Sequence, residues 1–117
     1  MTIIAAGRDA VRFRAALEIA AAQVALGRPA RLFLQGEAVA MLGRGPAAAD
    51  DALYLAAGLP TLAQLLDEAL ALGVECIACQ TGLTLAQLSA ETLPAGVAVG
   101  GLVSMLADAG DDQLLMA

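Results

Sequence analysis

Two cysteines, Cys76 and Cys79, are the strongest nucleophiles in this 117-residue chain, and they stand three residues apart. A thiolate attacks sulfur, displaces another thiolate or binds metal, so the spacing has to choose among redox, zinc and single-thiol chemistry. The run Val74-Glu75-Cys76-Ile77-Ala78 reads as an apolar strand that leads through Cys79 into Gln80-Thr81-Gly82. Positions three apart on a strand face opposite ways, with Cα atoms about 10 Å apart. A disulfide tolerates less than about 7 Å, so a redox pair would have to bridge without unfolding the strand; it stands as an alternative. Zinc would need two further ligands, and with no His and no third Cys only carboxylates remain. Cys76 therefore reads as a core residue and Cys79 as the candidate catalytic nucleophile. No metal site is expected.

Cys79 lies where the strand gives way to a glycine-containing turn and a helix. Turn amides and the positive end of a helix starting at Thr84 would favour its thiolate, and so would Arg8 if the first and third strands are neighbours. An inert, half-buried thiol fits the same residues; pKa and exposure separate the two.

Absent residue types exclude much other chemistry. The chain has no His, no Lys and no Trp. That removes Ser-His-Asp and Cys-His catalysis, Schiff-base chemistry and the lysine-dependent P-loop. All six cations are arginine and lie within the first 44 residues with three acids, while residues 45–117 hold nine acids and no cation; +3 and −9 give the net −6. Phosphate neutralisation needs a basic face, so no nucleic-acid partner is expected. Hydrophobic residues make up 60%. The longest uncharged stretch, Thr92 to Ala107, is interrupted by Pro94, Gly96, Gly100 and Gly101. A spanning helix needs about 18 or more apolar residues, and the N-terminus has no basic segment followed by an apolar one. The chain is expected to be soluble and cytoplasmic, with no membrane partner. Its 29 Ala and 21 Leu exceed what a domain of this size buries, which points to a homo-oligomer.

Strand and helix signals alternate. Strands are expected at Thr2–Ala6, Arg31–Leu34, Val74–Ala78, Val97–Val99 and Gln113–Met116. Helices are expected at Asp9–Leu26, from Thr61 to before Gly73, from Thr84 to before Pro94, and at Leu102–Ala109. Helical turns are expected at Glu37–Leu42, and Gly43-Arg44-Gly45-Pro46 reads as a connection, partly helical beyond it between Ala47 and Ala57. Thr61 with Gln64 has the spacing of a capping box. Thr84 with Gln87 repeats it, with Leu83 and Leu88 placed as a hydrophobic staple. The alternation implies parallel strands joined by crossover helices: an α/β fold of three layers, α/β/α, with a mostly parallel five-stranded sheet in a single domain over residues 1–117. Ligands bind beyond the carboxyl ends of such strands. Those ends carry Gly7 and Arg8, Gln35 and Gly36, Cys79 to Gly82, and Gly100 with Gly101. Of these, Arg8, Gln80, Thr81, Gly100 and Gly101 are the candidate binding residues around Cys79. Tyr54 reads as packing and Asp111-Asp112 as a solvated turn.

The run Leu65-Leu66-Asp67-Glu68-Ala69, then Gly73 through Cys76 to Ala78-Cys79-Gln80-Thr81, then Leu93 through Val97-Ala98-Val99-Gly100-Gly101, resembles the DsrE/DsrF-like family. The likeness covers nearly the whole chain in element order and is most specific at Ala78-Cys79-Gln80-Thr81. It implies a DsrEFH-like three-layer domain that assembles as a dimer, trimer or hexamer. It also implies that Cys79 carries sulfur as a persulfide, exchanged with a sulfur-donor or acceptor protein and without a cofactor. Cys76 and the short Ala-rich segment after Leu42 depart from the family pattern. A non-enzymatic assembly or small-ligand module is the alternative function, and a thiol-disulfide redox protein is a third.

Overall fold

A computed structural model describes residues 1–43 and 49–117. Its elements are β1 (Thr2–Ala6), α1 (Ala10–Ala25), β2 (Arg31–Gln35), a 3₁₀ segment (Gly36–Leu42), α2 (Asp51–Ala56), α3 (Leu62–Leu72), β3 (Glu75–Cys79), α4 (Gln80–Ala86), a 3₁₀ turn (Ala90–Thr92), β4 (Val97–Gly100), α5 (Leu102–Ala109) and β5 (Leu114–Met116). The connection expected at residues 43–46 falls mostly outside the described residues, as does the start of the partly helical stretch.

The strands form one sheet in the order β4-β3-β2-β1-β5, every pair parallel. Register alternation gives the sheet two unlike faces. On one, Ile3, Ala5, Leu32, Leu34, Cys76 and Ala78 are all buried, beneath α1 and α3, which pack on each other. On the other, Phe33 is sealed while Ala98 is exposed. There Ser104, Met105 and Asp108 of α5 share a cavity wall with Ile77 and Ala98, so α5 covers this face. The result is the expected three-layer α/β/α arrangement.

Local signals account for the helix ends. Asp9 accepts the amides of Val11 and Arg12 at the start of α1. The Thr61 hydroxyl accepts from Gln64 N while the Gln64 side chain accepts from Thr61 N, closing the expected capping box. Gly73 ends α3 at φ +105°, a left-handed turn that glycine adopts at no steric cost.

The second expected capping box is overturned. α4 begins at Gln80, straight off β3, and not at Thr84. The Thr84 hydroxyl donates to the Gln80 carbonyl, and Gln87 is the left-handed C-cap of the helix. Leu83 and Leu88 meet at that C-cap, where the Leu88 amide donates to the Leu83 carbonyl, and staple no N-terminus. Tertiary contact decides this: Gly82 has no side chain, so the first turn of α4 seats on the 3₁₀ segment at Val39 and Gly36.

Arg14 ties α1 to the segment before α3. Its side chain is only 6% exposed. It donates to the Pro60 carbonyl at 2.9 Å and meets Asp51 at 3.4 Å. Its guanidinium lies 3.6 Å over the Tyr54 ring, so the lone tyrosine stacks on a cation. Only a planar guanidinium makes all three contacts at once. Arg14→Lys is therefore expected to lower stability by about 1–3 kcal/mol, read as a lower urea midpoint. A shift under about 0.5 kcal/mol, the usual range for a surface change, would contradict this role.

Candidate functional site

Cys79 is the last residue of β3, level with Gly100 of β4. By alternation its side chain lies on the α5 face, while that of Cys76 points into the opposite face, beside the buried Leu32. Both thiols are free. Burial pushes the Cys76 thiol up to about 12, so it stays neutral and inert as the core residue expected. Among the described residues no group of three His, Cys, Asp or Glu side chains comes together as a metal site.

The sulfur of Cys79 has other company. Burial raises its pKa, but hydrogen bonds from the backbone amides of Gly82, Gly36 and Thr81 and from the Thr81 hydroxyl outweigh that, leaving the thiol below its ordinary value. These donors come from two elements. Gly36 opens the 3₁₀ segment at φ +55°, a left-handed conformation that turns the chain off β2 toward the neighbouring strand end. Thr81 and Gly82 belong to the first turn of α4. A methyl group on Gly82 would collide with the Val39 side chain and the Gly36 carbonyl. The absence of a Cβ at Gly82 is thus what lets the two elements close around the sulfur.

Cys79 is 6% exposed, yet it lines an open cavity of about 210 Å³ with Gln35, Gly36, Gln80, Thr81, Gly101 and Leu102. A second cavity of about 400 Å³ along β4 and α5 shares the walls Gln80 and Gly101 and includes Gly100. Gln80, Thr81 and Gly101 are therefore brought to the cysteine, and Gly100 stands beside it in the sheet.

Arg8 is placed elsewhere. The condition for its joining the crevice, that β1 and β3 be neighbours, does not hold, because β2 lies between them. Arg8 is exposed and lines a separate cavity of about 280 Å³ with Ala40, Gly43 and residues 85–88. Backbone amides take the anion-holding position it was expected to share. Gln35, Gly36 and Gly82 sit at strand ends where ligands were expected, but nothing in their spacing marked them as partners of the sulfur. The signal that finds them is strand order, which puts the ends of β2 and β3 side by side. Leu102 was not foreseen at all.

The chain matches no family model and no curated protein. Solved structures are similar to it. The YchN protein of E. coli superposes with a TM-score of 0.73 at 23% identity, over 99% of this chain and 97% of that one. A protein of unknown function from Methanobacterium thermoautotrophicum gives 0.68 at 15% identity, over 99% and 96%. The fold is DsrE-like. At these identities the likeness speaks for architecture, and the chemistry has to be argued from the site.

A DsrE-like sheet of this order leaves β4 and β5 at its edges. Cys79 is one strand in from the β4 edge, at the carboxyl end, where parallel α/β sheets place their ligands. Among the described residues no helix is long and apolar enough to cross a membrane.

Proposed function

We propose that the protein is a DsrE/DsrF-like sulfur carrier that holds sulfane sulfur on Cys79 as a persulfide. One observation carries the reading: the thiol lines an open cavity while amide donors from two elements lower its pKa. A thiol so held ionises more readily than a free one, and its thiolate also leaves readily when an acceptor attacks. Loading and unloading therefore draw on the same donors. Such chemistry belongs in the cytoplasm, where thiols stay reduced. The partners would be a sulfur-donor and a sulfur-acceptor protein.

The carrier works as a homo-oligomer on this reading. On α5 and β5, Val103, Leu106, Leu114 and Met116 are 83%, 40%, 51% and 64% exposed. Exposed apolar side chains grouped on neighbouring elements mark interfaces more often than solvent-facing surface. The same residues favour the second reading, an assembly module in which Cys79 is incidental.

Incubation with a persulfide donor followed by intact-mass measurement separates the two. The expected result is an adduct of about 32 Da, one sulfur atom, that survives Cys76→Ala and disappears in Cys79→Ser. Wild-type protein that gains no sulfur, or gains it equally in Cys79→Ser, would overturn the carrier reading and leave the assembly module.

A further inference from the structure

Burial on the α5 face of the sheet stops before the β4 edge. One row of paired residues crosses that face: Ile4, Phe33, Ile77 and Ala98. Ile4 and Phe33 are buried, Ile77 is half-buried and Ala98 is exposed. Sheets whose strands all run parallel almost always have both faces covered. Here a cavity of about 400 Å³ opens instead, with Glu75, Ile77 and Ala98 on the sheet side and Ser104, Met105 and Asp108 of α5 as a wall. β4 is also an edge strand. Its residues, Val97-Ala98-Val99-Gly100, include neither a charge nor a proline, two devices that keep a neighbour off an edge. An uncovered apolar face and an unguarded edge therefore coincide on one strip.

Charge decides what fits the strip. β3, β4 and α5 carry two charged residues, Glu75 and Asp108, both acidic. Arg31 meets Glu75 at 3.1 Å. Asp108 is exposed and forms no ion pair among the described residues. The chain's unmatched cations stand at the two ends of α1: Arg8 and Arg28 are exposed, and they too form no ion pair among the described residues. A two-fold contact would set the strip against its own copy and bring acid to acid, whereas a head-to-tail contact brings acid to base. We infer that this strip seats a second copy of the chain, docked head to tail through its arginine-bearing α1 side. Contacts of that kind build rings when the rotation closes. The cavity on the strip shares Gln80 and Gly101 with the Cys79 cavity, so the neighbouring copy forms the outer flank of the sulfur site. The inference rests on the oligomer in the carrier reading and names where the copies meet; it does not depend on persulfide chemistry.

Charge reversal on each side of the contact provides the test, read as the mass of the full chain in solution by sedimentation. Asp108→Arg leaves both docking sides basic. Arg8→Glu combined with Arg28→Glu leaves both acidic. All three side chains are exposed, a cation suits the last turn of α5 and an acid suits the start of α1, so both variants should keep the wild-type urea midpoint. Wild-type protein is expected to assemble, less so at high salt. Each variant alone should lose that assembly. A 1:1 mixture of the two should regain it, because acid then meets base at every contact. A monomeric wild type, a mass unmoved by either reversal, or a mixture that stays dissociated would overturn the inference and leave the strip to a partner other than this chain. Sulfur uptake is scored separately on the same samples. A wild type that assembles in this way but gains no adduct of about 32 Da overturns the persulfide reading alone.

Discussion

In native protein at pH 7, iodoacetamide is expected to label Cys79 at least about fiftyfold faster than Cys76. Three effects set that figure. With its pKa near 12, Cys76 has about one thiol in 10⁵ ionised at pH 7, whereas Cys79, below 9.0, has more than about one in 100. Ionisation alone therefore favours Cys79 by more than about a thousandfold. A less basic thiolate is a weaker nucleophile, and over three pK units that returns a factor of about 20 to 30. Access restores part of it, because Cys76 is 1% exposed while Cys79 lines a cavity. The Cys79 rate should rise with pH and level off below pH 9, since its pKa is depressed in the folded state. Peptide mapping of protein alkylated for short times across pH 6–10 reads both outcomes. Equal labelling, or a Cys79 profile that climbs through pH 9 without levelling, would show that the amides do not hold the thiolate.

Gly82→Ala is expected to strike both fold and chemistry. The added methyl group would collide with the Val39 side chain and with the Gly36 carbonyl, which is backbone and cannot rotate away. α4 must then lift off the 3₁₀ segment. Overpacking of this kind costs about 1–3 kcal/mol. The same movement draws the Gly82 and Gly36 amides apart, and both donate to the sulfur. Losing one charge-assisted hydrogen bond of about 1.5–3 kcal/mol raises the thiol by about one to two pH units. The variant should show a lower urea midpoint together with an alkylation profile displaced to higher pH. A destabilised variant with an unmoved profile would mean that Gly82 matters to packing alone. An unmoved midpoint would mean that the two elements do not seat as closely as described.

How much of this was legible in the residues follows from which forces are local. The capping box at Thr61 and Gln64 formed as read, because both partners lie within one helical turn and compete with nothing distant. The same spacing at Thr84 and Gln87 did not, because burying Gly82 against Val39 starts the helix four residues earlier. Propensity lost to packing there, and the difference puts the first turn of α4 on the sulfur. Arg8 shows the same limit from another side. Its place at a strand end was readable, but which strands adjoin was not, and β2 stands between it and Cys79.

The order of polar and apolar residues along the chain, by itself, determined five strands separated by helices and one thiol at a strand's carboxyl end. Alternation and periodicity are properties of neighbours in the chain, so they survive being read in one dimension. The donors around that thiol were decided only in three dimensions. Gly36 and Gly82 are 46 residues apart, and they meet at one sulfur because parallel pairing of β2 with β3 sets their strand ends side by side.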